Sequence, residues 1–169
     1  STVIPDAPTP RAAQDRIGAS TLEFLTANRF FFCFATMVID LERCTRCDDC
    51  VRACASTHDN NPRFLRHGPS SGRLMIANAC MHCADPVCMI GCPTGAIHRE
   101  SFAGQVVINP VTCIGCKACL AACPYGARYV HPDGYVDKCT FCMHRVKEGK
   151  DPACVSVCPT HCMYFGDLD

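Results

Sequence analysis

CTRCDDCVRAC, residues 44–54, decides how this sequence is read. Its cysteines, Cys44, Cys47, Cys50 and Cys54, follow the spacing C-x2-C-x2-C-x3-C, and the same spacing returns in CIGCKACLAACP at Cys113, Cys116, Cys119 and Cys123. Two further groups widen one gap: CMHCADPVCMIGCP places Cys80, Cys83, Cys88 and Cys92, and CTFCMHRVKEGKDPACVSVCP places Cys139, Cys142, Cys154 and Cys158. Three of the four groups end in Cys-Pro; the first has Ala55 in that place. Thiolates two residues apart on a short loop wrap three corners of an iron–sulfur cubane while the loop's N–H groups face its sulfides. The fourth corner must come from elsewhere, and in two-cluster ferredoxins the last cysteine of each run ligates the other cluster. A proline after that cysteine stops the helical turn that carries it and frees the chain to turn back.

The chain holds 18 cysteines in 169 residues, a density that in a short secreted protein points to a disulfide scaffold. Spacing argues against that reading, because tight C-x-x-C groups favour a shared metal centre over separate bridges. Structural zinc sites also use C-x-x-C pairs, but they use two separated pairs and have no use for a repeated third and fourth cysteine followed by proline. Four 4Fe-4S clusters on sixteen cysteines is therefore the favoured reading, with zinc and cystine as the alternatives it displaces.

Charge and hydropathy narrow the function further. The formal net charge is +0, so no basic excess marks a nucleic-acid partner. No apolar run approaches the length of a membrane span, the longest candidate being residues 30–35. A charged start followed by an apolar stretch and a cleavage site is not visible, so a secretory signal is not expected. Ser-His-Asp sets, phosphate loops and dinucleotide fingerprints do not stand out, and with sixteen cysteines committed to four cubanes no open iron is left for catalysis. The chain alone is expected not to be an enzyme.

The motifs VIDLERCTRCDDCVRAC, CMHCADPVCMIGCPTGAI, VVINPVTCIGCKACLAACPYGA and KCTFCMHRVKEGKDPACVSVCPT, spanning residues 36–167, resemble the four-cluster ferredoxin-like electron-transfer subunits of molybdopterin and tungstopterin oxidoreductases. The dimethyl sulfoxide reductase and formate dehydrogenase iron–sulfur subunits are examples. The resemblance implies an α+β fold of two nested ferredoxin-like modules related by a pseudo-twofold. Residues 36–57 and 131–169 would form one module, residues 73–130 the other, with residues 58–72 inserted between them and residues 1–35 as an N-terminal arm. It also implies the ligand sets. Cluster 1 would take Cys44, Cys47, Cys50 and Cys158; cluster 2, Cys54, Cys139, Cys142 and Cys154; cluster 3, Cys80, Cys83, Cys88 and Cys123; cluster 4, Cys92, Cys113, Cys116 and Cys119. The implied role is a relay of single electrons between a catalytic subunit, of the molybdenum or tungsten pterin type or a hydrogenase, and a second redox protein. A free polyferredoxin and an iron–sulfur sensor fragment are the competing roles. The sequence closes three residues after Gly166, short of the extension that resembling subunits carry towards an anchor or catalytic subunit, so a membrane anchor is not expected. The expected compartment is the cytoplasm, with co-export to the periplasm beside a signal-bearing partner as the alternative.

Around the cysteines, β-rich runs predict short strands over residues 36–41, 74–77, 106–109, 128–130 and 163–165. Helical turns are predicted over 48–56, 86–90, 117–122, 141–148 and 153–157. So little regular structure cannot fold on apolar burial alone, and the apoprotein is expected to be largely unfolded. The arm, with Pro5, Pro8 and Pro10, a possible helix over 11–28 and the Phe30, Phe31, Phe32 and Phe34 run, reads as a partner contact, with a disordered tail or a brace on its own domain as the alternative. The insertion brings Arg63, Arg66, His67 and Arg73 together as a docking loop or a solvated one. Arg43, Arg46, Lys117 and Lys138 flank ligand cysteines, where positive charge raises a cluster's potential unless water screens it. Loaded clusters would add about −8 to the charge, making the holoprotein acidic. Cys33 and Cys162 fall outside the sets and read as inert buried thiols; His82 and His144 lie near ligands but are not needed as ligands.

Overall fold

The computed structural model describes residues 23, 24, 27, 35–102 and 104–167; Cys33 and nearly all of the arm lie outside them. Regular elements are short and separated by the cysteine loops. Strand β1 (Ala35–Asp40) buries Thr36, Met37, Ile39 and Asp40, with Val38 half-buried, and runs into the first loop. Helix α1 (Asp49–Thr57) follows that loop, buries Cys50 and Cys54 on one face, and closes through an N–H bond from His58 to the Ala55 carbonyl. Next come β2 (Ser70–Ser71), β3 (Leu74–Ile76) and the single-turn helix α2 (Val87–Ile90). A hairpin of β4 (Ile97–Arg99) and β5 (Val106–Ile108) leads to α3 (Ala118–Ala122). A second hairpin pairs β6 (Tyr129–Val130) with β7 (Val136–Asp137), and α4 (Met143–Val146), α5 (Ala153–Val157) and β8 (Met163–Asp167) complete the chain.

The main sheet has the order β2-β3-β1-β8, antiparallel throughout. Its centre is β1, in register with β3 through Ile39↔Met75 and with β8 through Ile39↔Met163. The first and last described strands are thus joined, and α1 packs on α5 behind them. The β4–β5 and β6–β7 pairs form separate two-stranded sheets, and α2 packs on α3.

Two features depart from the sequence expectations. The stretch 141–148 is expected to be one helical segment, but Phe141 (φ 54) and Cys142 (φ 50) are left-handed, so α4 begins only at Met143. The insertion at 58–72 is not a simple polar loop. Phe64 is 2% exposed and belongs to the main core, Leu65 bridges to Asn78, and a Cβ on Gly68 would collide with the Ile76 carbonyl oxygen. Its arginines are engaged within the chain: Arg63 with Asp137 (2.6 Å), Arg66 with Asp48 (2.5 Å) and Arg73 with Asp40 and Glu42 (3.6 Å each).

The core itself is organised by sulfur. Met37, Ile39, Phe64, Met75, Phe141 and Met163 pack around Cys50, Cys54, Cys80, Cys139, Cys154 and Cys158, while Ile97, Val106 and Val136 pack around Cys88 and Cys119. The chain is a small α+β domain in which the cysteine loops occupy the interior.

Candidate metal centres

The first C-x-x-C of each motif turns on a left-handed residue directly before its second cysteine: Arg46 (φ 59), His82 (φ 44), Gly115 (φ 67) and Phe141 (φ 54). Such a residue swings successive N–H groups to one side and makes a concavity that suits an anion. The His82 and Phe141 amides each lie 3.4 Å from the sulfur of the preceding cysteine, Cys80 and Cys139. Three of the four loops accept this conformation without glycine, at about 1–2 kcal/mol each by the steric penalty of a Cβ in that region. A local sequence that adopts such strain repeatedly is held there by what the loop encloses.

Three hollows gather twelve of the motif cysteines, four to each and each set drawn from two motifs. Cys44, Cys47, Cys50 and Cys158 line one hollow. Cys92, Cys113, Cys116 and Cys119 line a second, and Cys80, Cys83, Cys88 and Cys123 a third. The remaining four, Cys54, Cys139, Cys142 and Cys154, are all buried. Burial is the main force raising the Cys154 thiol above its ordinary pKa, and repulsion from Cys139, Cys54 and Cys142 adds to it.

The groups also have an order. Cys50 and Cys54 share α1, so the first group adjoins the buried one. The Cys139 thiol is pushed up to about 12, chiefly by burial, with the Cys54 and Cys80 sulfurs adding to it, which links the buried group to the third. Cys88 raises the Cys119 thiol beyond what burial does, linking the third group to the fourth. Among the motif cysteines only Cys47 and Cys116 are exposed, one in each terminal group.

The residues fit a large sulfur-rich anion. Among the described residues no three His, Cys, Asp or Glu side chains converge on a point that would hold a lone metal ion; the sulfurs ring a hollow instead. Arg128 lines the third hollow and donates from Nη2 to Cys88 Sγ at 2.6 Å, while its buried Nε and Nη1 have no acceptor among the described residues. Buried donors without partners are costly, and thiolates with inorganic sulfide in that hollow would supply the acceptors.

Other side chains fall where the sequence pointed or beside it. His82 is fully buried, and its Nδ1 accepts the Val106 N–H at 3.0 Å. Burial, with Lys138 and Arg128 nearby, holds it neutral. His144 meets His58 edge to face. His58, which the sequence did not single out, places Nε2 3.5 Å from Cys142 Sγ, and burial, then Arg63 and His144, bring its pKa down to about 4. Cys162 is buried, as expected, yet it lines the first hollow with its Sγ 3.4 Å from that of Cys158. Of the four basic neighbours of ligand cysteines, Arg43, Arg46 and Lys117 are exposed and Lys138 is sealed in at 0%.

A family model described as a 4Fe-4S dicluster domain matches residues 72–168. The thiosulfate reductase electron transfer subunit PhsB of Salmonella typhi is 39% identical over 146 residues, covering 79% of this chain and 76% of that protein. A subunit of the anaerobic dimethyl sulfoxide reductase of Escherichia coli (strain K12) is 38% identical over 149 residues, covering 78% of this chain and 72% of its own length. Protein NrfC of the same organism is 37% identical over 145 residues, or 79% of this chain and 65% of that one. The chain belongs to the 4Fe-4S dicluster family, as an iron–sulfur electron-transfer subunit that is not catalytic alone.

Proposed function

We propose that this chain holds four 4Fe-4S clusters and relays single electrons between the catalytic subunit of an oxidoreductase and a second redox protein. The observation that carries the proposal is that twelve motif cysteines line three hollows, four to each, while the other four are all buried. A bound cubane would supply one-electron redox chemistry at each group. The chain's residues do the rest. Cys44, Cys47, Cys50 and Cys158 would hold cluster 1; Cys54, Cys139, Cys142 and Cys154 cluster 2; Cys80, Cys83, Cys88 and Cys123 cluster 3; Cys92, Cys113, Cys116 and Cys119 cluster 4. The β1–β8 pairing and the α1–α5 packing support a first module closed by the two ends of the chain, and β4–β5 with α2–α3 a second nested within it. The relatives named for thiosulfate and dimethyl sulfoxide reductases support a molybdenum- or tungsten-pterin catalytic partner. The exposed Cys47 and Cys116 support an entry at one terminal group and an exit at the other.

Iron and acid-labile sulfide counted on anaerobically purified protein test the cluster number. Roughly sixteen irons per chain are expected, and roughly eight would overturn the four-cluster reading. Native purification with identification of the co-purifying chains and their metals tests the partner; isolation as a free monomer would favour a diffusing polyferredoxin.

A further inference from the structure

Lys138 is fully buried. Its Nζ donates to the Val106 carbonyl and, at 3.1 Å, to that of Cys139. The nearest carboxylate in sequence, Asp137, is already committed: Oδ2 takes Arg63 at 2.6 Å and the Tyr129 hydroxyl at 3.2 Å, and Oδ1 accepts the Lys138 backbone N–H at 2.8 Å. Among the described residues Lys138 makes no ion pair. Two carbonyl oxygens satisfy hydrogen bonds but do not neutralise a charge, and a buried unpaired cation is among the costliest features a fold can carry.

Its position supplies the missing anion. Val106 lines the hollow ringed by Cys80, Cys83, Cys88 and Cys123, whereas Cys139 belongs to the neighbouring buried group. The ammonium therefore bridges the walls of two sites. Its Nζ sits between the Val106 carbonyl of one site and the Cys139 carbonyl of the other, so its charge faces both. The exposed Arg43, Arg46 and Lys117 beside the terminal sites are open to screening by water and salt.

We propose that Lys138 is a positioning residue that acts as one shared counter-charge for the two central sites, holding both of their reduction potentials up together and leaving the two terminal ones nearly unaffected. The inference rests on the four-cluster reading above. A charge common to two neighbouring centres keeps their potentials close, which suits an electron that must pass through both.

The test is an EPR-monitored anaerobic redox titration of the full chain as wild type, K138M and K138R. The wild-type iron count, roughly sixteen, is read first and tests the four-cluster reading separately. In K138M two of the four transitions should fall by at least about tenfold in reduction equilibrium constant, about 59 mV for a one-electron couple, while K138R keeps both near wild type. Loss of roughly eight irons from K138M with the other two signals retained would support the same assignment. A shift in one transition only, equal shifts in all four, no shift, or a K138R that falls as far as K138M would overturn it.

Discussion

The two ends of the cysteine chain share one backbone turn and differ in the last two side chains it carries. Cys92-Pro93-Thr94-Gly95-Ala96 closes one terminal group and Cys158-Pro159-Thr160-His161-Cys162 the other. In both, the threonine hydroxyl lies beside the cysteine sulfur, at 3.8 Å for Thr94 and 3.7 Å for Thr160. In both, the fourth residue is left-handed, Gly95 at φ 66 and His161 at φ 49. Burial pushes each cysteine up, but the turn's backbone N–H groups and the threonine, joined at Cys158 by the Cys162 thiol, outweigh it, so Cys92 and Cys158 both lie below the usual thiol range. The fifth residue is buried in both, but Ala96 offers a methyl where Cys162 offers a sulfur. The repeat fixes the backbone and the threonine contact, while the side chains of the fourth and fifth residues vary.

Removing the ligand from each end makes the largest difference expected. C92A should cost its group's irons, roughly four per chain, whereas C158A should lose less, because a second thiol already stands 3.4 Å away. Iron counts on the two variants read this, and equal losses would break the contrast. The loops at the other side of each terminal group come next. A Cβ on Gly115 would meet the Gly134 carbonyl oxygen as well as a positive φ, so G115A should destabilise the loaded protein by more than about 2 kcal/mol. R46G, at the matching position, should instead stabilise it by about 1 kcal/mol. Thermal unfolding of the loaded proteins, with opposite signs for the two, is the measurement. H161G should give a smaller gain, about 0.5–1 kcal/mol, by making this turn match Gly95. The least disruptive change is C162A, which copies Ala96 into the other end: iron content should stay at the wild-type value, and any effect should be confined to one transition in a redox titration.

Much of this is legible in the sequence because the cysteine spacing dictates loop, helix and return. Strands β1, β3, β5, β6 and β8 and helices α1, α2, α3 and α5 fall within a few residues of where β-rich runs and post-loop turns place them. Misses have local causes. Strand β4 hides in Ile97-His98-Arg99, where two polar residues of three mask the alternation, and it is fixed by pairing with β5. Strands β2 and β7 are two residues long and exist only through their partners. Phe64 sits among arginines and asparagines and reads as loop; the apolar pair Phe64-Leu65 is the signal that the insertion touches the core. The burial of Lys138 is not readable, because a lysine beside a ligand cysteine is exposed at Lys117 and sealed at Lys138, and the difference comes from the β5 strand lying over one and not the other.

The uneven exposure of the cysteines has a consequence for how such a protein decays. Cys47 and Cys116 are the exposed motif cysteines, so on the proposed cluster assignment solvent-borne oxidants and chelators reach the two terminal groups first. The wholly buried set at Cys54, Cys139, Cys142 and Cys154 would then be the last to be dismantled, and partly degraded samples enriched in its signal.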